Sequence, residues 1–266
     1  MSNSPLVNYT RISPNKSSRQ GNKIDMVIIH CVVGQASVES LGSRFAQSSV
    51  GASSNYGIGA DGRIGMYVEE KDRAWCSGGV DSKGNPIRVN GISGADIDRR
   101  AVSIECACDA YAPYKINDKV YKSLIKLLAD ICKRNGIVRL KWQGNKNLVG
   151  NVAQQNMAVH RWFAYKSCPG DYIYNLHPQI VKEVNATLEE MEDENMTQEK
   201  FNELANNWLE SLNQKESSNY AKDSLAWGKS SGLMIGDETG NQMPKGLLTR
   251  EQFIVVLKRM YDKFIK

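Results

Sequence analysis

Three side chains able to hold a metal or polarise a reacting group stand within nine residues, His160, Lys166 and Cys168, in the segment HRWFAYKSCPG (160–170). Imidazole and thiolate are preferred zinc ligands, but a structural zinc needs four protein ligands and this segment supplies two. Three protein ligands would leave the fourth position to water, which is a catalytic arrangement. Histidines are scarce enough to narrow the search for a third, since the others are His30 and His177. His30 lies near the end of the apolar run IDMVIIHCV (24–32), which has the length and character of a strand buried on both faces. Sites in α/β sheets gather at strand ends. His30, His160 and Cys168 therefore form a His2Cys set whose softness and ligand type select Zn2+. His177 is followed by Pro178 and opens a predicted helix, so it is expected at the surface. A fourth ligand there would close the site.

The chemistry such a set supports is hydrolysis. Zinc lowers the pKa of a water it binds to ~7, so that the water can attack an amide carbonyl. The oxyanion that forms needs a cation or a hydrogen-bond donor, and Lys166, two residues before Cys168, is placed to supply one. A base is also required, and two residues compete for that role. Glu105 sits inside AVSIECAC (101–108), and a carboxylate in an apolar strand costs several kcal/mol unless it is paired or neutralised. Tyr56 lies in SSNYGIGADGRIGMYV (53–68), on a second strand expected near the metal. Structural roles compete with these: a rim lysine, a buried ion pair and a core tyrosine.

The elements that position these residues alternate between strand and helix. Residues 1–23 are polar and read as an extended arm. After the strand carrying His30, Ser37 is a plausible N-cap for a short helix with Val38, Leu41 and Phe45 on one side. Asp61-Gly62 between two short strands predicts a type I′ hairpin. The string GIGADG also fits GxGxxG, but it crosses that turn and opens no helix, so a dinucleotide site is not expected. RAWCSGG (73–79) leads into a glycine-rich loop over 78–98, suited to the rim of a cleft. Val120, Leu124, Leu127, Leu128 and Ile131 form one stripe of a helix starting at Asn117 or Asp118 and ending at Gly136. IVRLKW (137–142) reads as a further strand, and a helix follows Pro178 over 179–191. The fold class is α/β, a mixed central sheet flanked by helices, with a small all-α C-terminal domain. The boundaries are 1–185 for the larger domain, 186–198 for an acidic linker that includes EEMEDEN (189–195), and 199–266 for three helices. Those helices are expected to pack around Trp208, Leu225, Trp227, Phe253 and Leu257.

Composition sets the outer limits. With 41% apolar and 24% charged residues the chain reads as an ordinary globular protein. No run approaches the ~20 apolar residues of a membrane span, so membrane insertion is not expected. The N-terminus has no apolar segment of signal-peptide type, which suggests synthesis in a cytoplasm. Six cysteines show neither paired zinc-finger spacing nor the density of a disulfide scaffold. Residues 1–180 carry 23 Lys+Arg against 14 Asp+Glu, a net +9, while 181–266 carry 11 against 15, a net −4. A basic larger domain suits an anionic polymer, and with no nucleic-acid motif present the expected polymer is not nucleic acid.

From about Ile24 to Ile180 the chain resembles the zinc-dependent N-acetylmuramoyl-L-alanine amidases of the type-2 group, which includes phage lysozymes of amidase activity and shares the fold of peptidoglycan recognition proteins. The resemblance is carried by IIHCV with His30, SSNYGIGADGRI with Tyr56, RAWCSGG with Trp75, VSIECA with Glu105, and HRWFAYKSCPG with His160, Lys166 and Cys168. It implies that His30, His160 and Cys168 hold zinc, that Lys166 stabilises the transition state, that Glu105 or Tyr56 moves the proton, and that Trp75 touches substrate. It also implies a peptidoglycan partner and a hydrolase, endolysin or autolysin, acting on the wall after release from the cell that makes it. Two rivals share the fold or the metal chemistry: a non-catalytic peptidoglycan-binding protein and a zinc peptidase cutting within the stem peptide. Cys76 departs from the pattern, since many relatives carry a histidine after the tryptophan. The segment YAKDSLAWGKSSGLMIGDETGNQMPKGLLTREQFIVVLKRM is similar to one S-layer-homology repeat, which implies a wall-binding module.

Overall fold

The computed structural model describes residues 2–193, 198–237 and 240–265, and the chain divides into two compact units, Met1–Asp193 and Glu194–Lys266. In chain order the first unit contains β1 (Tyr9–Thr10), β2 (Lys16–Ser18), β3 (Met26–Val32), α1 (Val38–Phe45), β4 (Tyr56–Ile58), β5 (Ile64–Met66) and β6 (Asp72–Ala74). Then come β7 (Arg88–Val89), β8 (Ile92–Ser93), α2 (Gly94–Arg100), β9 (Ala101–Ala107), α3 (Asp118–Asn135), β10 (Met157–Ala158) and α4 (Gly170–Asp193). The main sheet has six strands in the order β1-β5-β4-β9-β3-β10, parallel except where β4 meets β5. This is the α/β class with a mixed central sheet flanked by helices.

The two long apolar runs, β3 and β9, lie side by side at the centre, where both faces must be covered. One face carries Val27, Ile29, Ile104 and Cys106 against the stripe of α3 and the buried side of α4. The other carries Met26 and Ile28 against Ala101, Val159, Trp162 and Phe163. The α3 stripe is set by its caps: Asn117 Oδ1 accepts from the Lys119 and Val120 N–H groups, and Gly136 takes φ +69° at the C-terminal end. The N-terminal arm is ordered as edge strands, β1 along β5 and β2 along β6.

Several local expectations differ from what forms. The β4–β5 hairpin is present, but Gly59 N–H bonds to Arg63 O (2.9 Å) and only Gly62 has positive φ (+87°). It is therefore a three-residue loop with glycine in the left-handed position rather than a type I′ turn. The expected loop over 78–98 contains the β7–β8 hairpin and the first part of α2, started by a Ser93/Asp96 capping box. With Ile97 and Gly94 its main inward residues, so short a helix leaves little periodic signal. IVRLKW forms no strand. Its backbone is satisfied by side chains instead: Asn185 Oδ1 accepts from Leu140 N–H, and Asn156 Oδ1 accepts from Lys141 N–H.

The helix expected to start after Pro178 begins at Gly170 and runs through the proline to Asp193. Pro178 cannot donate to the Tyr174 carbonyl one turn earlier. His177 supplies the donor, its Nδ1–H pointing at the carbonyls of Ile173 (2.8 Å) and Tyr174. His177 is therefore fully buried, its ring 4.3 Å from that of Trp142, and not at the surface as expected. The stretch 186–193, expected as the start of a linker, is still helix, and 194–197 lie outside the described residues.

The second unit contains α5 (Gln198–Asn213), α6 (Lys222–Ser230) and α7 (Arg250–Phe264), the last with its Thr249/Gln252 capping box. The core expected around Trp208, Trp227 and Phe253 does not form within it: these residues are 57%, 57% and 50% exposed. Among its described residues only Gly228 and Leu233 are buried. Each stripe is on its helix, but a chain this short offers few facing residues to close over it. Glu238 and Thr239 of the connecting loop lie outside the described residues. No described helix is long and apolar enough to cross a membrane.

Candidate active site

The pairing of β3 with β9 sets His30 opposite Glu105. Side chains opposite one another in a ladder share a face, so the imidazole and the carboxylate project together near the carboxyl ends of the two central strands. β9 pairs on its other side with β4, where Gly57 stands opposite Glu105 and Tyr56 opposite Ile104. Tyr56 therefore faces the other way. Its hydroxyl donates to Glu70 Oε1 (2.6 Å) and accepts from Ser4 N–H (2.9 Å). Glu70 is also held by Arg134 (2.6 and 3.0 Å) and Asn135 (2.9 Å). As a competing base, Tyr56 is not brought to the cluster. It belongs to a buried ion-pair network beneath the opposite face.

His160 and Cys168 come from a loop that folds back on itself. Arg161 N–H bonds to Cys168 O (3.0 Å), and the Arg161 guanidinium reaches Ser167 O (2.6 Å) and Asp171 (2.9 Å). Trp162 anchors the loop by stacking on Trp142 with centroids 5.4 Å apart. The neighbouring loop passes so close that a Cβ on Gly79 would lie 2.6 Å from Ala164 Cβ and Phe163 O. That approach brings the Gly78 backbone to the His160 ring as a hydrogen-bond partner. A backbone carbonyl on one ring nitrogen fixes the tautomer and leaves the other nitrogen free as a ligand.

His30, His160 and Cys168 converge with one donor atom from each within 4.8 Å of the others. His30 Nδ1 lies 3.4 Å from Cys168 Sγ, and the two imidazoles meet edge-on at 5.2 Å. His30 Nε2 and His160 Nε2 are buried without a hydrogen-bond partner. Orphaned buried nitrogens are costly, and a cation between them is one way to satisfy them. Burial lowers both imidazole pKa values, His30 well below the ordinary value and His160 to about 4, with the Lys166 charge adding to each. Both rings are thus neutral near pH 7, the form that ligates metal. The donor set fits zinc.

Glu105 is shut into the same corner. Burial pushes its carboxyl up to about 7, opposed by the Cys76 thiol and the charges of Lys166 and Arg44. Cys76 Sγ lies 3.8 Å from Glu105 Oε1, while Glu105 Oε2 is buried with no partner. A carboxylate titrating near neutrality is suited to exchanging protons with a nucleophile. Lys166 is exposed and makes no ion pair among the described residues, yet its charge is felt at His30, His160 and Glu105. Trp75 is 36% exposed and donates its indole N–H to Ser17 Oγ (3.1 Å).

Two contributors were missed in the sequence. Asp98, buried in α2, accepts from the backbone N–H groups of Cys76 (3.0 Å) and Ser77 (3.0 Å) and so fixes the strand exit beside Glu105. Arg44 of α1 adds positive charge near the carboxylate. Neither lies in a segment whose pattern announces a site.

Residues 20–171 match the family model described as N-acetylmuramoyl-L-alanine amidase, Amidase_2, more than half of the chain. The chain belongs to this family. It is accordingly a peptidoglycan amidase, and the resemblance read from the sequence holds at that level. Among solved structures, a selenomethionine AmpD derivative is 18% identical and aligns over 68% of this chain and 95% of its own, with a TM-score of 0.44. The endolysin amidase LysCS from Clostridium intestinale is 18% identical over 69% and 93%, TM-score 0.39. The ectodomain complex of peptidoglycan recognition proteins LCa and LCx with tracheal cytotoxin is 17% identical over 60% and 82%, TM-score 0.38. No curated protein matches the chain.

Proposed function

We propose that the chain is a zinc-dependent N-acetylmuramoyl-L-alanine amidase of endolysin type, with His30, His160 and Cys168 as the metal ligands. The observation that carries this reading is the convergence of those three donors beside a half-buried glutamate on the strand next to that of His30. Zinc held there would supply Lewis-acid activation of water and of the scissile carbonyl. Glu105, with its carboxyl raised toward neutrality, takes the proton of the attacking water and returns it to the leaving amine. Lys166, exposed and without an ion pair among the described residues, closes on the developing oxyanion. Cys76 steadies the Glu105 carboxylate through its thiol, and Trp75 offers a partly exposed indole face to the glycan or peptide.

The second unit is proposed to hold the enzyme on the wall, in keeping with its likeness to an S-layer-homology repeat and its exposed aromatic residues. A phage or prophage origin, with release onto the wall through a membrane lesion, is part of the same proposal.

Digestion of purified peptidoglycan tests the reaction. New L-alanine N-termini without new reducing sugar are expected, together with about one zinc per chain and loss of activity on chelation. Stem-peptide fragments would instead identify a peptidase. Wall binding without any new termini would identify a non-catalytic binder.

A further inference from the structure

We propose that His30, Cys76 and Glu105 form a second binding position for a soft divalent cation, whose occupation withdraws Glu105 from proton work and inhibits the enzyme. One donor atom from each of the three lies within 4.8 Å of the others. The position is distinct from the first in two of its three donors and shares only His30. It rests on the reading of Glu105 as the base.

Three features make this a built position and not a chance approach. Cys76 is not free to wander, because its own N–H and that of Ser77 are clamped by the buried Asp98 carboxylate, and Trp75 N–H is held by Ser53 Oγ (3.0 Å). Glu105 has one weak S–H donor on Oε1 and no partner on the buried Oε2, and it makes no ion pair among the described residues. Cys76 is itself only half-buried, which leaves a route for an ion from solvent. Nitrogen, sulfur and carboxylate donors together favour Zn2+, Co2+ or Cd2+ over Mg2+ or Ca2+. Binding would release the thiol proton to solvent and, when both ions are held, the remaining ring N–H proton of His30, whose imidazolate then bridges them; the second cation would also be held by the Cys76 thiolate and the Glu105 carboxylate. Because His30 serves both positions, the second ion binds more weakly than the first, and activity passes through a maximum as metal is raised.

Cobalt is the probe, since each thiolate ligand adds a charge-transfer band. Chelator-treated full-length protein is titrated with Co2+ in four forms: unsubstituted, Cys76→Ser, Cys168→Ser and the double variant. The proposal expects the unsubstituted chain to take two equivalents and Cys76→Ser one, with about half the thiolate–cobalt absorbance at saturation. Cys168→Ser should keep a thiolate band that the double variant loses. In zinc-activity curves, the decline beyond one equivalent should vanish in Cys76→Ser. A Cys168→Ser chain with an unchanged far-ultraviolet circular dichroism spectrum and no thiolate band overturns the proposal, as does a thiolate band that the double variant keeps. If the first position were misread, the Cys76→Ser chain would show no Cys168-dependent band, a separate outcome.

Discussion

Replacing Glu105 with glutamine should stabilise the metal-free protein by an amount that depends on pH, while removing its activity. Burial raises the Glu105 carboxyl from 4.5 to about 7. Between those values the folded chain holds a proton that the unfolded chain has released, so stability falls as pH rises. Below pH 4.5 both states are protonated and the group costs nothing; above about 7 both are ionised and the cost is complete. At about 1.4 kcal/mol per pH unit the interval amounts to about 3 kcal/mol. Glutamine has no such slope, and every other titrating group is common to the two proteins, so the difference between them isolates Glu105. Urea unfolding of chelator-treated protein, followed by the fluorescence of Trp142 and Trp162, measures it at pH 4.5, 5.5, 6.5 and 7.5. The variant should gain on the unsubstituted chain by about 3 kcal/mol over that range, a midpoint shift of roughly 1–2 M urea. Zinc, a cation beside the carboxylate, should shrink the difference. Parallel pH curves in the metal-free proteins would refute the claim that Glu105 is held against burial, and with it the argument for a near-neutral base.

Other predictions separate the roles of neighbouring residues. Cys168→Ser should lose the tightly bound zinc and retain at most the weaker position, whereas Lys166→Ala should keep the tight zinc and lose about 10²–10³-fold in turnover; equal loss of the tight zinc in both would make Lys166 structural. Tyr56→Phe removes one of several donors to Glu70 and should cost about 1–3 kcal/mol with turnover largely retained. A tenfold fall in turnover at unchanged stability would put Tyr56 back in the chemistry. Arg134→Ala strips the buried Glu70 of its charge partner and should cost about 3–5 kcal/mol, read as a fall in Tm with metal affinity intact. A chain ending at Asp193 should still cleave soluble muropeptides but sediment less with purified walls; equal sedimentation would remove the wall-holding role from the second unit.

What was legible in the sequence was whatever a residue type makes unusual by itself. A histidine near the end of an apolar run and a glutamate inside another stand out because burying them needs a reason, and both strands formed within two residues of expectation. Facing is a different matter, because it depends on register between strands far apart in the chain. Tyr56 and Glu105 lie on neighbouring strands, but the pairing sets Tyr56 against Ile104, and one step of register decides which face a side chain takes. No local pattern in SSNYGIG carries that information. His177 was misjudged for a related reason, since a proline after a histidine looks like a helix start unless the ring itself turns back onto the helix carbonyls beside the break, here those of Ile173 and Tyr174. The second unit shows the converse: three periodic helices are each legible, but not whether their stripes meet.

The site divides into a rigid half and a tethered half, and that division explains why metal should matter to more than chemistry. His30 and Glu105 sit on adjacent central strands whose ladder fixes them to each other. His160, Lys166 and Cys168 ride on a loop held by Arg161, by the Trp142–Trp162 stack and by the close passage of Gly79. Across the divide Cys168 Sγ approaches His30 Nδ1 to 3.4 Å, and the Nε2 atoms of His30 and His160 have no hydrogen-bond partner. An ion shared by these donors would replace that weak contact with three strong bonds, so binding free energy becomes order in the loop. Lys166 lies on the same loop, and its distance from the reacting carbonyl is therefore set by the ion as much as by the chain. Amide hydrogen exchange at residues 161–168 should slow on adding zinc while exchange in β3 and β9 stays as it was. Slowing in the two strands without slowing in the loop would mean that the ion stiffens the sheet and leaves Lys166 unplaced.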